Sequence, residues 1–250
     1  RNSVKGVSAI HMISAWITES QLVLGQQKTD IKSNEITAIP ELIKALSLEG
    51  AVVTIDAMGC QKKIAAEIIA AKADYVLQVK ENQPTLLENI RLFFQDPANG
   101  PFDFEETVDG DHGRIETRGC HVSSEISWLP GRHEWEGLQS IAMVVRKRET
   151  DKGVSVEHSY HISSLQPCAA ATLKHVREHW GIENGLHWCL DVGFQEDKCR
   201  VREKNGPENL GILRHIAINL LKQEKSLKAG IQTKRLKAAW DKEYLLKVLG

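Results

Sequence analysis

The run AVVTID, residues 51–56, is the stretch on which the reading of this chain turns. Its apolar, β-branched side chains do not alternate with polar ones, the pattern of a strand covered on both faces. The run ends in Asp56 and is followed by Ala57–Met58–Gly59, then by a helix-patterned segment from about Cys60 to Lys72. DYVLQVK (74–80) reads as another strand, and a helix opens at Pro84, a residue suited to the first helical turn. Upstream, SAIHMISAWI (8–17) and QLVLGQQ (21–27) read as strands joined by Thr18–Glu19–Ser20. Residues 34–48 place Ile36, Ile39, Leu42, Ile43 and Leu46 on one helical face, with Ser33 as N-cap and Glu35 in the first turn. This β-β-α-β-α-β-α order predicts an α/β fold, a mixed sheet with helices on its faces. Polar chemistry in such sheets gathers at the carboxyl ends of strands, where Asp56 stands. Taken alone, Asp56 also reads as a turn residue or helix cap.

Composition narrows the class. The chain has 250 residues, 42% hydrophobic and 26% charged, with a formal net charge of −1. That is a globular composition, and no run approaches the roughly 18 apolar residues of a membrane span. Five scattered cysteines without a CxxC pair fit reduced thiols and a cytoplasmic location better than a disulfide framework. His187, Cys189 and Cys199 lack the spacing of a zinc finger or knuckle, and read as buried thiols and a helix histidine.

The near-neutral average conceals a gradient. Residues 101–165 carry 7 basic and 12 acidic side chains, whereas 198–250 carry 13 and 5. A basic C-terminal segment, with Lys198, Arg200 and Arg202 at its start, suits phosphate contacts; a solvated lysine-rich surface is the plainer alternative. Between the two halves, residues 96–170 are rich in Gly, Pro and Asp and contain short strands, with a hairpin predicted at AMVVRKRE–TDKG–VSVEHSYHI. The organisation expected is a core from residues 1–95 and 170–195, a β-rich insertion over 96–169, and a basic helical segment over 196–250. Helices are predicted over about 170–190, from NGPEN to about Gln223, and over 231–248.

The stretch VREHWGIENGLHWCLD (176–191) carries the second candidate acid. At α-helical spacing, Val176, His179, Trp180, Glu183, His187 and Leu190 share one face. A carboxylate on a core-facing stripe is costly unless it is paired or bound to a metal. His179 and His187, each four residues from Glu183, are the available partners. A structural Glu–His pair and a metal ligand both fit this helix. A strand-end Asp and a helix Glu together suit two-metal phosphodiester chemistry, in which Mg²⁺ keeps several waters and takes one or two carboxylates per ion.

Several blocks resemble a known family: TIDAMGCQKKIA, DYVLQVKENQPTL, DGDHGRIETR, REHWGIENGLHWCLDVGFQED, KSNEITAIPEL and RHIAINLLK. Spread over nearly all of residues 5–225 in the family's own order, they are similar to the H-repeat-associated transposases of bacterial insertion sequences, members of the DDE transposase superfamily. The resemblance implies a ribonuclease-H-like core with a β-rich insertion before the last catalytic helix. It implies cleavage and transfer of DNA strands with two Mg²⁺ ions, for which Mn²⁺ substitutes. Asp56 matches the second catalytic aspartate and Glu183 the catalytic glutamate, both as metal ligands. DNA, as terminal inverted repeats and target, is the implied partner, with a homo-oligomer assembled on it.

The resemblance also departs from the wider superfamily. There, Tyr, Arg and Lys stand seven before, four before and seven after the glutamate; here those positions hold Val176, His179 and Leu190. Arg177, His179, Asn184 and His187 are the candidate supporting residues. Lys80 and Asn82 in the VKENQ block, and Arg114 and Arg118 in the HGRIETR block, are candidate DNA contacts. The family's first aspartate belongs to a motif resembling IDGKTLR, and no IDGK occurs in these 250 residues. Arg1–Asn2–Ser3 resembles the tail of that motif, so the first strand and first carboxylate are expected ahead of Arg1. Asp30 matches no catalytic position of the family. An active strand transferase and a non-catalytic remnant that binds DNA or a full-length transposase are the two readings that follow.

Overall fold

A computed structural model describes residues 11–29, 35–111 and 113–250. Asp30, Ser33, His112, Arg1–Asn2–Ser3 and the start of the first predicted strand lie outside them. The chain divides into two compact units, one from residues up to Leu42 with Trp180–Gly250, the other Ile43–His179.

The second unit is built on a mixed six-stranded sheet. β3 (Val52–Ile55) lies parallel to β4 (Asp74–Val79), and the crossover between them contains α2 (Lys62–Ala70). Beyond β4 the sheet continues antiparallel through β8 (Gly153–Ser163), β7 (Ser140–Thr150), β6 (Arg114–Ser123) and β5 (Asp103–Asp111). The strands of the predicted β-rich segment thus extend the sheet that holds β3. At their inner ends successive side chains alternate between two covered faces. Cys120, Val122, Ala142 and Val144 pack under α4 (Ala169–His179) with Ala169 and Leu173. Met143 and Tyr160 turn the other way, toward Arg91 and Phe94 of α3 (Pro84–Gln95). Ile64, Ile68, Tyr75, Leu77, Ile90, Ile141 and Ile162 are fully buried. Each such side chain contributes roughly 1.5–3 kcal/mol relative to exposure.

The first unit contains a hairpin of its own. β1 (His11–Ile17) pairs antiparallel with β2 (Leu22–Thr29), with an irregularity between Ala15 and Trp16. Among the described residues these strands form a separate two-stranded sheet, not part of the larger one as the element order suggested. A long helix, α5 (Gly206–Gln223), closes over β2. Asn219 on it imitates a neighbouring strand: its Oδ1 accepts from Val23 N at 2.9 Å and its Nδ2 donates to Val23 O at 2.8 Å. The single helix predicted over 231–248 is two, α6 (Ile231–Trp240) and α7 (Lys242–Leu249). Asp241 divides them because it adopts an extended backbone and caps α7, accepting from Tyr244 N at 3.0 Å. α1 (Glu35–Ala45) runs across the junction of the two units in the chain.

The helix predicted over 170–190 also differs from expectation. α4 stops at His179, and after a turn at Trp180 the backbone forms π-helical stretches at Glu183–His187 and Cys189–Gly193. The extra residues in π turns rotate the following side chains out of α-helical phase. Leu186, Cys189 and Leu190 turn inward with Val23 and Ile218, while Trp180, Glu183 and His187 are exposed. The single core-facing stripe read from α-helical spacing therefore does not form. The burial cost that it assigned to Glu183 is absent.

Candidate active site

Asp56 stands at the carboxyl end of β3, exposed, where the strand gives way to a single 3₁₀ turn at Ala57–Gly59. Its Oδ1 accepts from Met58 N at 3.2 Å, so it caps that turn, as the residue taken alone also suggested. Oδ2 makes no hydrogen bond among the described residues. Three side chains hold this corner. Asn82 Nδ2 donates to Ala57 O at 2.6 Å, and Gln83 Nε2 donates to Cys60 O at 3.0 Å. His179 Nδ1, on the last residue of α4, lies 3.1 Å from Thr54 Oγ1, two residues before Asp56. Asn82 was expected at DNA; the structure gives its amide to the turn that carries Asp56. Lys80 is exposed at the end of β4 and close enough to buried His161 to depress its pKa, after burial itself and His179.

Glu183 belongs to the other unit and opens the first π-helical stretch. Its side chain is 54% exposed, and Oε2 lies 3.2 Å from His187 Nδ1. Of its two expected partners, the structure supplies His187. His179 instead engages Thr54. The backbone carbonyl of Asn184 faces Cys189 Sγ at 4.0 Å, and its side chain is exposed. The stretch is seated on Gly185, where an added Cβ would come within 2.5 Å of Trp16 Cζ2. Lys222 Nζ lies 4.5 Å above the Trp16 ring. Acids missed by the sequence reading surround this element. The Asp191 carboxyl is held above its ordinary range by burial first, then by Asp197 and Glu183, with His187 opposing. The run LDVGFQED contained that signal, since its acids follow Glu183 within a few turns.

The HGRIETR arginines are joined on one face of the sheet. Buried Glu116 binds Arg118, lies 3.3 Å from Arg114 and 4.0 Å from Arg148. Asp109 accepts from Arg118 at 2.7 Å and from Arg177 at 2.8 Å. Arg177, expected beside Glu183, thus closes this network. Arg146, opposite Arg118 in register, pairs with Glu157 at 2.6 Å. Arg146 and Arg148 escaped sequence reading because cross-strand register is not visible in one strand. Lys198, Arg200 and Arg202 are exposed, and Arg202 Nη1 donates to the carbonyls of Cys199 and Val201 at 2.8 and 2.7 Å.

For a divalent cation, the donors present have the right chemistry: hard carboxylate oxygens, each exposed, with oxygen capacity to spare. Among the described residues no three His, Cys, Asp or Glu side chains cluster closely enough to hold an ion. Nor, among them, is any helix long and apolar enough to cross a membrane.

A family profile described as "Transposase DDE domain" matches residues 2–220. YbfL of Escherichia coli (strain K12) is 42% identical over 250 residues, 96% of this chain and 66% of that protein. "H repeat-associated putative transposase YhhI" of the same strain shows the same identity and coverage. "Putative transposase YncI" of Escherichia coli O157:H7 is 42% identical over 256 residues, 98% of this chain and 64% of that protein. The chain thus spans about two thirds of the length of these relatives.

Proposed function

Since the chain belongs to the DDE transposase family, we propose that it carries two of the catalytic carboxylates of a metal-dependent DNA strand transferase, Asp56 and Glu183. The observation that carries this reading is Asp56 itself: an exposed carboxylate at a strand's carboxyl end, in a turn pinned by Asn82, Gln83 and, through Thr54, His179. Three side chains fastening the strand end and turn around one exposed acid are more than a turn residue requires. Divalent ions of the Mg²⁺ type, when bound, stabilise the attacking and leaving oxygens of an in-line phosphoryl displacement. Asp56 would offer Oδ2 to such an ion while Oδ1 stays on Met58 N. Glu183 would offer its carboxylate with His187 as orienting partner, and Asn184 beside it reaches solvent. The arginines of the Glu116 network, with Lys80, Lys198, Arg200 and Arg202, would meet DNA phosphates; such contacts set position and affinity rather than sequence preference. A ribonuclease-H-like arrangement of residues 1–95 and 170–195, into which 96–169 are inserted and to which 196–250 are appended, accounts for the element order. Joining two element ends would bring copies of the chain together on DNA.

The test is strand cleavage of terminal-repeat DNA by this chain with Mg²⁺ or Mn²⁺, in parallel with Asp56→Asn and Glu183→Gln. Asparagine keeps an acceptor for Met58 N, so loss of cleavage there would report chemistry rather than folding. Cleavage lost in both variants with DNA affinity retained is the expected result. Salt-sensitive DNA binding without cleavage by the unmodified chain would instead establish the non-catalytic binding module.

A further inference from the structure

The strands β5 to β8 reach beyond the helices that cover their inner ends, and their two faces differ there. One face carries the Glu116 arginine network. On the other, register aligns Val156, Lys147, Thr117 and Val108 in one row, and Val154, Glu149, Ile115 and Gly110 in the next. Val108, Ile115, Val154 and Val156 are 49–63% exposed, although α3 covers Met143 and Tyr160 farther along the same face. A sheet face with β-branched residues on β5, β6 and β8, on both sides of the charged pair of β7, is built to be covered.

We propose that this face seats a second copy of the chain, packed face to face about a twofold axis. The charges argue for a copy rather than a foreign partner. Lys147 and Glu149, two residues apart on β7, point from the middle of the valine rows and pair with each other at 2.7 Å. A twofold axis between them sets Lys147 against the partner subunit's Glu149 at two equivalent places, so the patch is its own complement. The exposed in-chain pair contributes little, so giving it up costs little. The two intermolecular pairs offset the desolvation of their own charges, and the valines beside them supply the apolar burial. Valines offer nothing to phosphates, Lys147 is paired with Glu149, and the arginines of this sheet lie on its reverse. The inference stands whether or not the chain cleaves DNA.

Mixed charge reversal tests it, with mass read by sedimentation equilibrium. In Lys147→Glu both contacts become acid against acid, and in Glu149→Lys both become base against base. Each variant alone should dissociate about tenfold or more readily than the unmodified dimer. An equimolar mixture should recover a heterodimer, because both contacts are then opposite in sign. A role confined to the chain's own salt bridge cannot produce that recovery. Val156→Glu and Ile115→Glu, at exposed positions, should be monomeric with unchanged circular dichroism. An unmodified chain that is monomeric, a mixture that fails to associate, or a dimer that persists in Val156→Glu and Ile115→Glu would overturn the proposal. So would loss of DNA binding in Val156→Glu with no change in mass, which would make the face a nucleic-acid surface.

Discussion

Asn82 donates its side-chain amide to the carbonyl of Ala57 across 2.6 Å, so the loop after β4 grips the residue next to Asp56. Asn82→Ala removes a bond worth about 1 kcal/mol and frees the corner. Cleavage is expected to fall about ten- to hundredfold through misplacement of Asp56, with DNA affinity unchanged. Affinity measured by fluorescence anisotropy separates the outcomes: a fall in binding equal to the fall in rate would return Asn82 to the DNA surface.

Gly185 is the closest approach in the helical stretch that carries Glu183. Gly185→Ala sets a methyl group 2.5 Å from Trp16 Cζ2, and the indole is held by the core around Leu186 and by Lys222. Overpacking of this kind costs about 1–3 kcal/mol, readable as a lower denaturant midpoint with a changed tryptophan emission. Trp16→Leu in the Gly185→Ala background should recover part of the loss. Strictly additive effects would show that the two residues do not meet.

Two buried histidines make the fold acid-sensitive. Burial, then His179 and Lys80, hold His161 at about 3, and burial, then His187 and Arg214, hold His215 at about 4. Among the described residues His215 Nδ1 has no hydrogen-bond partner. Both values lie below the 6.5 of an unperturbed histidine. Above that pH neither contributes; below it the unfolded chain takes up protons that the folded chain refuses. Stability should therefore fall as pH drops from 6.5 toward 4, by up to about 1.4 kcal/mol per pH unit for each histidine. Urea unfolding at stepped pH measures the slope, and His215→Gln should remove one share of it.

Glu224 acts in a lower window. Hydrogen bonds from Ser226, and then from Tyr244, hold its carboxyl near 2 against an ordinary 4.5. Tyr244 Oη donates to Oε2 at 2.7 Å, and Lys234 Nζ lies 3.7 Å from the same oxygen and donates to Leu221 O at 3.0 Å. This contribution is complete above pH 4.5 and disappears as pH falls through about 2. Glu224→Gln should lower the melting temperature at neutral pH and flatten the acid limb of the stability curve. An unchanged acid limb would mean that the carboxylate does not tie α5, α6 and α7 together.

What could be read from the chain alone was what its local chemistry dictates. AVVTID and DYVLQVK fold as β3 and β4, and Pro84 opens α3, because burial pattern and backbone constraint act within a few residues. The corner around Asp56 was half legible: the acid was visible, but its grip by Asn82 and Thr54–His179 joins residues far apart in sequence. The extension of the sheet by β5–β8 and the meeting of Arg118 with Arg146 depend on register, which no single strand encodes. The division at Asp241 was a missed cap, in a segment whose apolar spacing continues across it.

The π-helical stretches from Glu183 to Gly193 carry a further consequence for relatives of different length. A π turn holds more chain than an α turn of the same rise, so this segment contains slack. A relative one residue shorter between these positions could wind as ordinary α-helix without moving either flank, and its side chains would present different faces. Distance in sequence from Glu183 is therefore a poor guide to direction in space here, and counterparts of His187, Asp191 or Leu190 are better sought by what they face than by counting.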